Sequence, residues 1–494
     1  MCDARLSGCL LLFLSFLNSP AFAQEAGNAN TDLVNDIRSL EASLKQTRAD
    51  LQEYRSEIVK LQGEVESLRT ELHDQAQSDS KSAAPGSESA TQAMDVIKDD
   101  VRMLKNKVDD QYQTKVESAS KYRVKLGGIL LANFSSTSGS VDDIDVPNLA
   151  GAPYNYAQGS FSGTIRQSEI NLSVSGPSLL GARTSGLMVV DFFGGIAKTS
   201  NGSDFGIGRL KLGHARLDWA HTSLEIGQSD PLISPVSPTS FASLGIPALG
   251  YSGNLWAWTP QVAVEHRWNS EKWEYTIQGG LMDPLSGEYP GYGYDRLPQY
   301  GEQSRHPAFE ARNALTRLVA GRKMTVGYGG YYERQAYHYG RDINGWAATL
   351  DWSLPISQWF EVSGEAYRGR AIGGLWGASG VSVVDSGPIT QPVTQIEGLN
   401  TVGGWTQLKF HFNPKIELNG AIGQDNPFAG GLRTFGTPTA YQYVARNQTT
   451  LVNIVDHPRS NLILALEYRH LRTSWTTAQP DSADHVNASV GVIF

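Results

Sequence analysis

The sequence predicts an all-β transmembrane barrel of sixteen antiparallel strands preceded by an α-helical coiled coil. Three observations carry this. From Tyr122 to the C-terminus, apolar side chains recur at every second position in segments of about ten residues, which suits strands with one face in lipid and the other on a lumen. The connections between those segments alternate between short and long. Upstream of Tyr122 the periodicity is helical.

Composition agrees with this class. Only 18% of the 494 residues are charged and 40% are hydrophobic, below the roughly 45–50% of an ordinary globular chain. Beyond the N-terminus no apolar run reaches the ~18 residues of a helical span; a barrel needs none, because only alternate residues face lipid.

Residues 1–23 read as an export signal: Arg5 supplies positive charge, 10–17 form an apolar stretch, and Ala21-Phe22-Ala23 offers a small-x-small cleavage pattern. Leu6-Ser7-Gly8-Cys9 mimics a lipoprotein cleavage box but precedes the apolar stretch, so it is taken as a chance match. Both cysteines, Cys2 and Cys9, fall inside the signal. The mature chain would therefore have no disulfide, no thiolate-held metal and no cysteine nucleophile.

Residues 31–73 carry a heptad repeat. Ile37, Leu44, Leu51, Ile58, Val65 and Leu72 occupy a positions, with Leu33, Leu40, Thr47, Tyr54, Leu61 and Leu68 at d. Asp50 can pair with Arg55, and Glu64 with Arg69, of a parallel neighbour. The mixture of Leu and β-branched residues at a and d does not fix the strand number. Residues 74–92, with Pro85-Gly86 among Ser, Ala and Gln, read as a linker, and Met94, Ile97, Val101, Leu104 and Val108 mark a second short helix over 93–117. The acidity sits in this arm: of a net charge of −9, residues 1–120 contribute 13 Lys+Arg against 20 Asp+Glu. No basic surface for nucleic acid is present.

The barrel is expected over 121–494, with strands starting near residues 122, 161, 182, 205, 222, 260, 272, 308, 324, 343, 358, 404, 415, 446, 460 and 484. Trp346, Ala348, Leu350, Trp352 and Leu354 show the alternation clearly. Short turns fall at Ser178-Leu179-Leu180, Ala220-His221, Asn269-Ser270, Ala320-Gly321, Pro355-Ile356, Asn413-Pro414 and His457-Pro458, and long loops at 135–160, 229–259, 283–307 and 371–403. Trp219, Trp268, Trp273, Trp352 and Trp359 lie beside short turns, as an aromatic girdle would. The last strand, 484–494, places Val486, Ala488, Val490, Val492 and Phe494 on one face, with Phe494 as a C-terminal signal for insertion and closure.

Lys121-Tyr122-Arg123-Val124-Lys125-Leu126-Gly127 at the barrel's start, and Ala215-Arg216-Leu217-Asp218 leading to Glu225-Ile226-Gly227-Gln228, together with this layout, resemble trimeric Gram-negative porins with an N-terminal coiled coil, near the dicarboxylate-type and phosphate-selective O/P groups. The resemblance implies a homotrimer in outer-membrane lipid, one pore per subunit, and a constricting loop folded inward after the fifth strand. That position is 229–259, where Ser229, Asp230, Pro231, Pro235, Pro238 and Pro247 sit among Ser, Thr and Gly; proline stiffens such a loop. An external cap is the other reading of this segment. Asp230 is its only charged residue, so selectivity would come from the wall.

The face opposite the lipid stripe supplies pore-lining candidates. The cations and histidine are Arg166, Arg209, Lys211, Arg216, Arg267, Arg312, Lys409, His411 and Arg469; the acids are Glu265, Glu310, Glu361, Glu365 and Glu467. An Arg209/Lys211/Arg216 cluster could attract anions such as phosphate or dicarboxylates, provided a bulge at Gly213 keeps Arg209 and Arg216 on one face. Acidic neighbours are nearly as numerous, and a mixed-sign field with weak preference is the alternative. No G-x-S-x-G elbow, H-E-x-x-H pair or phosphate-binding glycine loop occurs, so neither catalysis, metal nor cofactor is expected; Tyr292-Gly293-Tyr294 read as a flexible aromatic outer loop. The expected function is passive diffusion of small hydrophilic solutes. Two alternatives are a tether whose periplasmic coiled coil links the membrane to peptidoglycan, and an adhesin or receptor acting through the outer loops.

Overall fold

The computed structural model describes residues 122–151, 158–196, 206–288, 296–319, 321–435, 443–476 and 478–494. The expected signal, coiled coil, linker and second helix lie outside the described residues, as do Tyr292, Gly293 and Tyr294.

The wall begins with β1 (Arg123–Ser138), followed by β2 (Gly159–Thr164) and β3 (Glu169–Ser175), which both pair with β1 and share one strand position. Next come β4 (Arg183–Asp191), β5 (Arg209–Asp218), β6 (Thr222–Ser229), β7 (Thr259–Asn269), β8 (Trp273–Met282) and β9 (Ala308–Val319). They are followed by β10 (Arg322–Tyr337), β11 (Arg341–Pro355) and β12 (Phe360–Arg370). A small hairpin, β13 (Val383–Asp385) with β14 (Ile396–Gly398), forms its own sheet within a long loop. The wall resumes with β15 (Asn400–His411), β16 (Ile416–Pro427), β17 (Val444–Arg459), β18 (Leu462–Trp475) and β19 (Asp481–Ile493). With β2 and β3 counted as one, sixteen antiparallel strands form the wall, and β1 pairs with β19 to close it. Closure pairs β1 with β19, so the first and last strands are not left as edges; among the described residues β2 pairs with β1 on one side only.

The two faces divide as the alternation requires. On β1, Leu126, Leu130 and Phe134 are exposed on the outside, while Asn133, Ser135 and Thr137 are buried inside; on β19, Val486, Val490 and Val492 face out and His485, Asn487 and Ser489 face in. Water contact across such an apolar exterior would cost about 25 cal/mol per Å², so the outer surface is suited to lipid. At the seam the Phe494 N–H donates to the Gly128 carbonyl at 3.1 Å, and the Gly128 N–H donates back at 3.0 Å. Gly128 is required here: a Cβ would lie 2.3 Å from the Glu169 carbonyl oxygen and 2.8 Å from the Phe494 ring.

Three local features differ from the sequence reading. The second wall strand is interrupted at 165–168, where four residues face only Leu130, Leu131 and Ala132 of β1. Ser168 Oγ accepts the Leu131 N–H at 3.0 Å and so patches the ladder, while Arg166 and Gln167 turn into the lumen. The bulge expected at Gly213 instead lies at Lys211, skipped where Leu210 pairs with Val190 and Leu212 with Val189. It still leaves Arg209 and Arg216 on the inner face, where Arg209 meets Asp191 and Arg216 meets Glu225. Finally, His457-Pro458 does not make a turn. Both residues lie within β17 at a bulge between Asp456 and Arg459, a place that tolerates a residue without an N–H, and the chain reverses at 460–461.

The short-turn end carries the expected aromatics. Trp268, Trp273 and Trp359 are exposed on the outside, Trp268 stacking on Tyr275 with ring centres 5.7 Å apart. Trp219 is partly buried and donates from Nε1 to the Leu180 carbonyl, and Trp352 packs against Gly364, where a Cβ would come within 2.4 Å of its ring.

Candidate pore and inward loop

Loop 230–258, between β6 and β7, is folded into the barrel along the inner wall. Its path can be read from its hydrogen bonds. The Leu232 N–H donates to Glu310 on β9, Thr349 on β11 donates to the Ile233 carbonyl at 2.9 Å, and Ser234 Oγ donates to Glu365 on β12 at 2.5 Å. The Thr239 N–H then donates to Gln407 on β15, Asn453 on β17 donates to the Thr239 carbonyl, and Ser240 Oγ donates to Glu467 on β18 at 2.6 Å. Asn133 on β1 reaches the Phe241 carbonyl, Gln167 accepts the N–H groups of Leu244 and Gly245, and Lys211 and Arg209 on β5 bind the carbonyls of the same two residues. The chain returns past β17, where Asn447 donates to the Tyr251 carbonyl and Ser252 Oγ shares a 2.8 Å bond with Thr449. Buried backbone groups need partners, and here inward-facing side chains of the wall supply them.

Apolar packing locks the same loop. Ile233, Leu255 and Ala257 form a buried cluster with Tyr331, Tyr367, Ile372 and Leu375, the last two from loop 371–399, which also turns inward. Ala248 and Leu249 pack with Trp405, Ala421 and Leu451. Of the named loop residues, Ser229 closes β6, Pro235 and Pro238 flank the stretch between the Glu365 and Gln407 anchors, and the Pro231 carbonyl accepts the Ser234 N–H at 3.3 Å.

At the neck of the loop Trp258 Nε1 donates to Asp230 Oδ1 at 2.9 Å. Lys211 Nζ and the Arg209 guanidinium each lie 4.9 Å from the Trp258 ring centre, so two cations bracket an aromatic face between loop and wall. Both cations are also paired, Arg209 with buried Asp191 and Lys211 with Glu169, each at 2.6 Å.

The remaining candidates separate into two groups. Arg166, Glu310, Arg312, Glu365, Glu467 and Arg469 are almost fully buried and hold the inward structure. Arg166 pairs with Asp145 of loop 139–158 at 2.5 Å, Arg312 with Asp351 at 2.6 Å, and Arg469 with Glu467 at 2.7 Å while it donates to Ser243 Oγ. Towards the short-turn end the charges are part exposed. Arg216 contacts Asp218, Glu225 and Glu265 at 2.9–3.4 Å, and Arg267 lies 3.3 Å from Glu265. Across the lumen Glu361 is in register with Lys409, while Lys409 and His411 lie 3.5 and 3.7 Å from Glu417. Cations and carboxylates therefore alternate at this level.

The sequence reading missed the inward amides Asn133, Gln167, Gln407, Asn447 and Asn453, which anchor the loop. Their signal was available in the same parity that selected the charged residues. It also missed the carboxylates Asp145, Glu169, Asp191 and Asp351; these become partners only through cross-strand register and loop docking.

No protein-family model matches the chain, and no curated protein matches it. Among solved structures, the outer-membrane channel DcaP of Acinetobacter baumannii superposes with a TM-score of 0.56 at 14% identity, over 76% of this chain and 97% of that one. The barrel has the fold of an outer-membrane channel. The anion-selective porin from Comamonas acidovorans (TM-score 0.48, 11% identity, 76% of this chain and 100% of that one) and Pseudomonas putida OprB (0.46, 11%, 78% and 97%) are also similar.

Proposed function

We propose that the chain is an outer-membrane porin through which small hydrophilic solutes diffuse passively. The observation that carries this reading is the inward loop 230–258 within a closed sixteen-strand barrel that is apolar outside and polar inside. A barrel of this size has room for an aqueous channel, and the loop narrows it. Short turns would face the periplasm and long loops the exterior. A homotrimer with one pore per subunit fits the resemblance to trimeric porins.

Selectivity is read as weak, because each candidate cation above the short-turn end is paired with a carboxylate. At the neck Arg209 and Lys211 stand against three carboxylates, Asp191, Glu169 and Asp230, so the corner has no excess of positive charge; a small tilt towards anions such as phosphate or dicarboxylates rests only on the two cations lying at the Trp258 ring face between loop and wall. Planar-bilayer recording of the purified full chain tests both parts. Discrete ohmic conductance is expected, with a zero-current potential in a KCl gradient displaced modestly towards chloride. Absence of conductance would overturn the porin reading; a potassium-directed potential would overturn the anion tilt alone.

A further inference from the structure

We infer that the outside of the barrel, at its long-loop end, binds the phosphorylated headgroup of an outer-leaflet lipid through Arg368 and Arg370 on β12, Arg446 on β17 and Arg472 on β18. The inference rests on the outer-membrane reading above, which places this end of the wall at the outer leaflet. The pore does not use these residues.

All four stand at outward positions of their strands, because their neighbours Tyr367, Gly369, Asn447, Leu471 and Thr473 are buried inside, and Arg370 lays its guanidinium against Gly398 of β14 at the rim. Among the described residues none of the four is in an ion pair with a carboxylate. Outward acids at this end, Asp342 and Asp484, are already engaged: Asp342 pairs with Arg334 at 2.5 Å, and Asp484 with His470 at 2.8 Å while accepting from Tyr468 Oη. Arg368 is held by neutral acceptors only. It donates to the carbonyls of Gly369 and Thr401 and to Asn400 Oδ1, and lies 4.3 Å from the Phe428 ring centre and 5.4 Å from that of Trp346. Arg370 donates to the Asn344 carbonyl and Arg446 to Asn426 Oδ1.

The four arginines lie across neighbouring strands. From β12 through β15, β16 and β17 to β18 there are four spacings of ~4.8 Å, an arc of roughly 20 Å. Towards the short-turn end the same outer face is apolar, with Leu408, Ile422, Val452 and Leu466 exposed, and the rings of Trp346, Phe428 and Tyr468 mark the boundary. A cation at the edge of an apolar surface without a protein counter-ion is unfavourable unless an anion joins it. The fork of a guanidinium matches two oxygens of a phosphate, and cationic clusters at the membrane interface recognise lipid headgroups by this means. A solute ion would not need the apolar surface beneath; a lipid with acyl chains does.

The test uses the full chain reconstituted in phosphatidylcholine vesicles, with or without diphosphorylated lipid A, and with its dephosphorylated form as control. Thermal unfolding and co-purified lipid, read by native mass spectrometry, are compared for wild type and for the triple variant Arg368→Gln, Arg446→Gln, Arg472→Gln. Phosphorylated lipid should raise the wild-type midpoint and stay bound, the dephosphorylated form should do neither, and the variant should bind on the order of ten- to a hundredfold more weakly. Equal retention of both lipids, or by the variant, overturns the inference. So does an equal shift with inorganic phosphate, or a loss of oligomer in the variant that is the same with and without lipid, which would mark a contact between copies of the chain. Conductance in the same vesicles separates the two readings: a conducting protein indifferent to lipid phosphate loses only this inference, and a lipid-binding protein without conductance loses only the pore.

Discussion

Glu467 and Arg469 stand two residues apart on the inner face of β18, 2.7 Å from each other, and between them hold Ser240 and Ser243 of the inward loop. Each is nearly inaccessible to solvent. The pair therefore connects wall chemistry to pore shape: the charges neutralise one another, and their spare oxygens and N–H groups fix where the loop lies.

Breaking that pair should loosen the loop while leaving the barrel intact. Arg469→Ala leaves a buried carboxylate without its cation, a change that costs about 3–5 kcal/mol in comparable sites. Because the sixteen-strand ladder does not depend on it, the cost should appear as loop release. Single-channel records of the variant should show larger or noisier conductance, with folding on gels unchanged. A steady wild-type conductance would show that the remaining anchors suffice.

The Lys211–Glu169 pair makes a signed prediction. Lys211→Ala leaves Glu169 negative at the neck, and Glu169→Gln leaves Lys211 positive. One unit charge at ~5 Å in a water-like medium is worth about 0.8 kcal/mol to a passing ion, roughly a fourfold change in permeability ratio. Zero-current potentials in a KCl gradient should thus move towards potassium in the first variant and towards chloride in the second. Shifts of the same sign in both would show that neither charge faces the ion path.

The N-terminal arm should be dispensable for conduction. Deleting residues 31–115 removes the expected stalk without touching the wall or the inward loop. Unit conductance should be retained within error, measured in the same bilayer assay. Loss of envelope attachment in cells, together with little conductance from the intact protein, would favour the tether reading instead.

The wall was largely legible in the sequence because period two is a local signal. Trp346 through Leu354 and Leu462 through Tyr468 show their faces without knowledge of their neighbours. What the sequence did not show is set by register. That Arg312 finds Asp351 two strands away, or Arg209 finds Asp191, follows from which residue lies opposite which, and the bulge that skips Lys211 changes this within a single strand. Loop docking is still less local: Arg166 pairs with Asp145 only because β2 breaks before β3 and the segment around Asp145 folds over it. Parity alone could group the charged candidates on one face, but which of them would be buried as loop anchors and which would stay part exposed was not readable.

The seam supplies the last prediction. Phe494 and Gly128 exchange two backbone hydrogen bonds, while the Phe494 ring occupies the space a side chain at position 128 would need. The two positions should therefore fail differently. Phe494→Ala removes an exposed lipid-side ring and keeps both backbone bonds, so the folded barrel should persist, with slower insertion into detergent or vesicles as its main defect. Gly128→Val forces a Cβ to within 2.3 Å of the Glu169 carbonyl oxygen, which is backbone and cannot swing aside. It should prevent the first and last strands from meeting. Heat-modifiable migration on gels reads closure directly: the Phe494 variant should retain the fast-migrating folded band and the Gly128 variant should lose most of it. A Gly128→Val protein that closes normally would mean that the seam can shift its register, and the pairing of Leu130 with Val492 would then not be what defines the end of the barrel.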